Sequence, residues 1–150
     1  MEDILVIEGG NRLYGKVRVS GAKNAGLVVI AASIMAEGET ILDNIPRIRD
    51  VEVMTQILGD IGVVTRWNED NSLSIISPST DLKSPTSYKL AKKLRASNLL
   101  LGSMLGRQRE SIISLPGGCD IGSRPMDLHI KGIQALGAEI EIEHGYIFSK

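Results

Sequence analysis

Glu39-Thr40-Ile41-Leu42 and Glu110-Ser111-Ile112-Ile113 carry one pattern at two places, 71 residues apart. The same offset sets Ala25 on Ala96, and an offset of 75 sets Ile61-Gly62-Val63 on Leu136-Gly137-Ala138. Self-similarity at a fixed period marks a duplicated supersecondary unit. The difference of four between the offsets is an insertion that falls between Leu115 and Met126. The second unit is therefore lengthened at one place, which is a reason to look there for function.

Each unit reads helix, strand, helix, hairpin. In the first, residues 25–35 are apolar nearly all round, which predicts a buried helix. Thr40-Ile41-Leu42 is strand-like. Asp50 is a good N-cap, with Val51, Met54, Leu58 and Ile61 following at helical spacing and Gly62 placed as a C′ glycine. Residues 63–67 and 73–76 predict a hairpin around Asn68-Glu69-Asp70-Asn71.

After a Ser/Pro-rich connection at 77–86, residues 88–105 predict one helix, with Leu90, Leu94, Leu101 and Leu105 along it. A strand follows at 111–115. Pro125 fits position N1 of a helix carrying Met126, Ile130, Ile133 and Leu136, ended by Gly137. Ile140 and Ile142 alternate with glutamates before His144-Gly145 turns into Tyr146-Ile147-Phe148. Ahead of both units, Ile4-Leu5-Val6-Ile7 and residues 14–19 predict two strands, the second with Val17 and Val19 on one face. Units of this kind leave helices and one sheet face partly open. They should pack around a shared interior, and often need a third copy to close. The expectation is a portion of something longer.

Composition narrows the function classes. A hydrophobic share of 43% in 150 residues supports one ordinary core, which aromatics at 3% leave to Ile, Leu, Val, Ala and Met. That scarcity of aromatics and a net charge of −1 argue against a nucleic-acid surface or an anionic membrane as partner. Small anionic substrates need only a few local cations. One cysteine forms no internal disulfide, the start Met1-Glu2-Asp3 lacks a signal-peptide layout, and no apolar run approaches the roughly 20 residues of a membrane span. The expected setting is cytoplasmic.

Four places hold candidate chemistry. Cys119 sits in Leu115-Pro116-Gly117-Gly118-Cys119-Asp120, a setting that presents a thiol rather than packing it. Arg124 nearby favours the thiolate and Asp120 disfavours it, so spacing leaves nucleophile and proton donor both open. Arg124-Pro125 at a helix start offers a forked donor beside free N–H groups, with a plain surface arginine as the alternative. Lys23-Asn24, ahead of the first helix, suits a phosphate or carboxylate, though the glycine spacing is not that of a P-loop. Of Lys92, Lys93 and Arg95, periodicity does not say which turns inward. Asp127 has the plain role of stabilising a helix N-terminus. His129 and His144 lack a second ligand at metal spacing, so no metal site and no cofactor are expected.

Ser20-Gly21-Ala22-Lys23-Asn24-Ala25, Leu94-Arg95-Ala96-Ser97, Leu115-Pro116-Gly117-Gly118-Cys119 and the run from Ile121 through Arg124-Pro125-Met126-Asp127-Leu128 to His129 occur in that order. Together they resemble the amino-terminal part of the UDP-N-acetylglucosamine 1-carboxyvinyltransferase family, across essentially the whole chain. The resemblance implies an α/β (α+β) fold, an inside-out barrel of repeated βαβαββ units. About two units of the first domain would be present: a first at 21–76, a connection at 77–86 and a second at 87–150. Residues 1–20 would belong with an absent second domain.

It also implies transfer of enolpyruvyl from phosphoenolpyruvate to the 3-hydroxyl of UDP-N-acetylglucosamine, the first committed step of peptidoglycan synthesis. Cys119 would be the proton donor and the site of a covalent adduct, including that with fosfomycin. Lys23, Asn24 and Arg124 would bind phosphoenolpyruvate. Arg95, Arg124, Pro125, Met126, Asp127 and Leu128 would surround the nucleotide sugar. Family chains are far longer, and their second domain supplies the base, so this portion alone should be inactive. A non-catalytic ligand-binding paralogue is the alternative. The related transferase acting on shikimate 3-phosphate has no equivalent cysteine loop.

Overall fold

The computed structural model describes residues 4–84, 86, 88–91, 94–115 and 126–150, and the backbone alone at Tyr88 and Arg95. Two three-stranded antiparallel sheets follow one another along the chain. The first unit runs α1 (Lys23–Ser33), β1 (Gly38–Leu42), α2 (Arg49–Asp60), β2 (Val64–Trp67) and β3 (Leu73–Ser77). The second runs α3 (Tyr88–Ala91), a 3-10 turn (Arg95–Asn98), α4 (Leu99–Gln108), β4 (Ser111–Ser114), α5 (Asp127–Ala135), β5 (Ile140–Glu143) and β6 (Tyr146–Ser149). The strand orders are β1-β3-β2 and β4-β6-β5, so each unit is a split β-α-β crossover with its last strand inserted in the middle.

Strand registers confirm the duplication. Thr40 lies opposite Ile75 and Ile75 opposite Thr65, while Ser111 lies opposite Ser149 and Ser149 opposite Ile140. Both crossover helices end in the same way. Gly62 (φ +97°) and Gly137 (φ +102°) take the left-handed conformation. Val63 N donates to Leu58 O at 2.9 Å and Ala138 N to Ile133 O at 3.3 Å, the longer-range of the two bonds in a Schellman motif. The turn before each sheet repeats too: Gly38 (φ +85°) enters β1, and Arg109 (φ +62°) closes α4 in a conformation that costs a side chain energy.

One core serves both units. Ile30, Ile34, Met54, Ile57, Leu58, Leu73 and Ile75 pack with Leu100, Leu101, Met104, Ile113 and Ile147 in a single buried cluster. The connection between the units is tied down by side chains. Gln108 accepts from Leu82 N at 2.8 Å and donates to Leu82 O at 3.3 Å. Ser84 Oγ accepts from Ile112 N at 3.0 Å, and Thr86 Oγ1 from Ser114 N at 3.2 Å. These hydroxyls cover the edge of β4, which would otherwise present free backbone groups.

Arg107 joins the units most directly. Its Nη1 donates to Ile34 O at 2.6 Å, Ser77 Oγ at 2.7 Å and Ala36 O at 3.2 Å, and its Nη2 donates to Pro78 O and to Thr80 O. Ile34 is the C-cap of α1, so the C-terminal ends of α1 and α4 lie together and the two packed helices are parallel.

Several expectations are corrected. Ile4-Leu5-Val6-Ile7 and residues 14–19 form no strand and are open to solvent, because no strand of the described residues pairs with them. Helix α1 is buried on one side only, with Val28 and Val29 exposed. Asp50 is not a cap: Ile48 holds the N-cap position of α2 and Asp50 lies in the first turn. The single helix expected over 88–105 is broken, since Leu94 is extended (φ −134°, ψ 111°) between α3 and the 3-10 turn. The last helix is described from Asp127, with Met126 at its N-cap position, and the expectation for Pro125 lies outside the described residues.

Two substitutions check these contacts in urea unfolding. Arg107→Ala should destabilise the chain by about 2–4 kcal/mol, because it strips charge-assisted bonds from partly buried carbonyls, and Arg107→Lys should recover less than half. Arg109→Gly should stabilise it by about 0.5–1 kcal/mol by relieving the left-handed side chain.

Candidate functional site

Parallel helices gather their N-terminal ends, and with them the positive ends of their dipoles. The N-terminus of α1 carries Lys23 and Asn24 as its first residues. Lys23 Nζ lies 2.9 Å from Asp50 Oδ2 in the first turn of α2, so α2 begins at this end as well. Arg95 opens the 3-10 turn that leads into α4, and the offset of 71 gives it the place in the second unit that Asn24 has in the first. Three helix starts thus meet at one end of the molecule.

The turn that delivers Lys23 depends on a glycine. Gly21 N donates to Asn44 Oδ1 at 3.1 Å, and a Cβ on Gly21 would collide with the Asn44 carbonyl. Asn44 itself adopts φ +56°, which asparagine tolerates better than most residues. The segment after β1 is therefore pressed against the segment before α1. Nearby, the Arg47 guanidinium lies 4.5 Å from the Trp67 ring centroid, so that arginine is held over an aromatic face. Neither Asp50 as the partner of Lys23 nor Asn44 as the partner of Gly21 was visible in the sequence, because both pairings join segments that spacing does not relate.

The second unit brings its own residues to this end. Strand β4 leaves the sheet at Ser114 and α5 begins at Asp127, with the inserted segment between them. Met126 is buried in the shared core, Asp127 lies exposed in the first turn of α5, and Leu128 is exposed. The structure thus brings Lys23, Asn24 and the backbone of Arg95 to one end and fastens Met126 as an anchor. Cys119, Arg124 and Pro125, like Lys92 and Lys93, lie outside the described residues. Two buried hydroxyls, Ser97 Oγ in the 3-10 turn and Ser114 Oγ at the end of β4, have no hydrogen-bond partner among the described residues.

The chemistry available is anion binding. A small anion at the helix starts meets free backbone N–H groups, aligned dipoles and a lysine whose charged partner, Asp50, is itself half-exposed. Among the described residues no group of His, Cys, Asp and Glu is placed to hold a metal ion. A groove of about 330 Å³ lined by Glu110, Glu139, Glu141, Phe148 and Lys150 lies at the start of β4, by the opposite helix ends, and its acidic rim suits no anion. No helix among the described residues is long and apolar enough to cross a membrane.

Comparison with known proteins gives the family and the fold. A family model described as EPSP synthase (3-phosphoshikimate 1-carboxyvinyltransferase) matches residues 7–150. The UDP-N-acetylglucosamine 1-carboxyvinyltransferase of Dichelobacter nodosus (strain VCS1703A) is 44% identical over 147 residues, which is 97% of this chain and 35% of that protein. Among solved structures, the enolpyruvyl transferase NikO from Streptomyces tendae aligns with a TM-score of 0.75 at 22% identity, over 95% of this chain and 31% of that one. EPSP synthase from Acinetobacter baumannii aligns with a TM-score of 0.66 at 23% identity, over 89% and 31%. At those identities the structural likeness speaks for the fold alone. The chain spans about a third of the length of these relatives.

The Lys23–Asp50 ion pair is exposed, and an exposed ion pair contributes little to stability. Lys23→Ala should change the unfolding free energy by less than about 1 kcal/mol. A larger loss in a denaturant titration would make Lys23 a structural residue.

Proposed function

This chain belongs to the EPSP synthase family of enolpyruvyl transferases, and from that premise we propose that it is the amino-terminal part of an enzyme that transfers enolpyruvyl from phosphoenolpyruvate to the 3-hydroxyl of UDP-N-acetylglucosamine. The single observation that favours this acceptor is the 44% identity, over 97% of the chain, to a relative named for that substrate. In this reading the enzyme serves peptidoglycan synthesis in the cytoplasm. Residues 1–20 pack with a second domain, which accounts for the apolar side chains from Ile4 onward lying open here.

The chemistry assigns each part a task. The sugar hydroxyl oxygen bonds to C2 of phosphoenolpyruvate while its methylene carbon takes a proton, giving a tetrahedral phosphate ketal. Loss of a proton from that methyl group then expels phosphate and leaves the enol ether. Cys119 supplies the first proton and forms the covalent adduct. Lys23, Asn24 and Arg124 hold phosphate and carboxylate at the helix starts, where fixed dipoles stabilise charge without reorganising. Arg95 and the run Arg124, Pro125, Met126, Asp127 and Leu128 seat the nucleotide sugar, with buried Met126 anchoring that run to the core. The base that takes the hydroxyl proton comes from the second domain. Shikimate 3-phosphate is a second reading, favoured by the description of the matching family; the Pro116-Gly117-Gly118-Cys119 loop argues against it.

Two measurements test the proposal. A chimera joining this chain to the remaining two thirds of the Dichelobacter relative should release phosphate with UDP-N-acetylglucosamine as acceptor, and Cys119→Ala should slow it by about 10²–10⁴-fold, the usual worth of a positioned proton donor. Turnover with shikimate 3-phosphate instead, or an unaffected Cys119→Ala chimera, would overturn it. The 150-residue chain alone should show no turnover. Mass spectrometry should still find a slow fosfomycin adduct that disappears in Cys119→Ala.

A further inference from the structure

Lys23 stands where helix electrostatics would not put it. It is the first residue of α1, at the positive pole, a place that favours anions over cations. The same helix start has no side-chain cap and no acidic residue in its first turn. Gly26 N is the first to donate within the helix, to Ala22 O at 2.9 Å, so the N–H groups of Lys23, Asn24 and Ala25 have no intrahelical acceptor. The start of α2 is the reverse. Asp50 and Glu52 both lie in its first turn, so α2 keeps a carboxylate at its pole even with Asp50 engaged elsewhere. Asp50 is engaged with Lys23, Nζ to Oδ2 at 2.9 Å.

That pair is not what holds the two helix starts together. Gly21 N donates to Asn44 Oδ1 at 3.1 Å, and the backbones approach so closely there that a Cβ on Gly21 would collide with the Asn44 carbonyl. Nor does the pair add much stability, since its side chains are 53% and 36% exposed and water screens the attraction. What it does fix is a flexible side chain. A lysine loses rotamer freedom when it meets a ligand, and one that is already ordered loses less. An ammonium donates three hydrogen bonds, and Asp50 accepts only one of them.

We propose that Asp50 is a positioning residue for phosphoenolpyruvate: it holds the Lys23 ammonium between the starts of α1 and α2, ready for the anionic substrate. This rests on the reading of these helix starts as the phosphoenolpyruvate site, and adds to it a residue outside the motifs that carry the family resemblance. Two effects of Asp50 oppose each other. Its own charge repels an anion, but at a site open to solvent that repulsion is weakened by water and salt. The ordering of Lys23 is not weakened in this way, so the positioning effect is the larger.

Heteronuclear NMR titration of the intact 150-residue chain with phosphoenolpyruvate tests this. The amide signals of Lys23, Asn24 and Ala25 should shift on binding. Asp50→Asn should weaken that binding by about 3–10-fold, the worth of one side chain ordered beforehand, and Asp50→Glu should restore part of it. In a Lys23→Ala background Asp50→Asn should change nothing further, because the carboxylate acts only through the lysine. Signals away from the helix starts should stay in place in every variant, which shows that each one folds. Binding that Asp50→Asn leaves alone or strengthens would overturn the proposal, since the charge of Asp50 would then outweigh its hold on Lys23. An equal loss in the Lys23→Ala background would also overturn it, by making Asp50 act without the lysine. If the wild-type amides at the start of α1 do not shift, the phosphoenolpyruvate site itself is lost from these helix starts and the role of Asp50 falls with it, a result distinct from the other two.

Discussion

Around the Arg107 guanidinium stand four carbonyl oxygens, those of Ile34, Ala36, Pro78 and Thr80, and the hydroxyl of Ser77. They belong to the end of α1, the end of β3 and the start of the connection, which are the places where the first unit runs out of its own hydrogen bonds. A helix end has carbonyls without intrahelical donors and the negative pole of its dipole. A forked cation satisfies both needs. Because α4 carries this cation near its own end, α4 must finish where α1 finishes, and the two helices lie parallel.

Parallel packing sets like poles side by side, which is unfavourable unless each end is compensated. Arg107 compensates the C-terminal end. At the other end the positive poles of α1, α2 and the second unit's helix start face one region. Helix α1 has no acidic residue in its first turn, and Asp50, the nearest one of α2, is shared with Lys23. The proposed anion site rests on these positive poles, although Glu52 also stands in the first turn of α2 and Asp127 in that of α5. The residues that would bind phosphate and carboxylate, Lys23 and Asn24, are there for the same reason that the fold holds together. The insertion that lengthens the second unit enters and leaves at this end too, between Ser114 and Asp127.

Much of the scaffold was legible from spacing. The repeat, the strands and the two glycine helix ends all rest on short-range physics: period, turn conformation and the left-handed freedom of Gly62 and Gly137. What misled was long-range. Ile4 to Ile7 and residues 14–19 have the composition of strands, but a strand exists only with a partner, and the described chain offers none. Leu94 fits a helical stripe, yet tertiary packing takes it as an extended, buried break between two helical turns. Asp50 has the chemistry of a cap, yet Lys23, far away in sequence, draws it into an ion pair.

By itself the sequence determined the duplicated unit, the order of its elements, the place of the insertion and, through four short motifs in order, the family. Those are properties of local pattern, and each residue carries them wherever the chain goes. Only the tertiary structure decided that the helices are parallel, that Lys23, Asn24 and Arg95 belong to one end, and that Met126 is an anchor while its neighbour Leu128 lies open. It also decided which faces the repeat leaves uncovered. These depend on contacts between residues far apart in the chain, such as Arg107 with Ile34 and Gly21 with Asn44, and no periodicity encodes a partner.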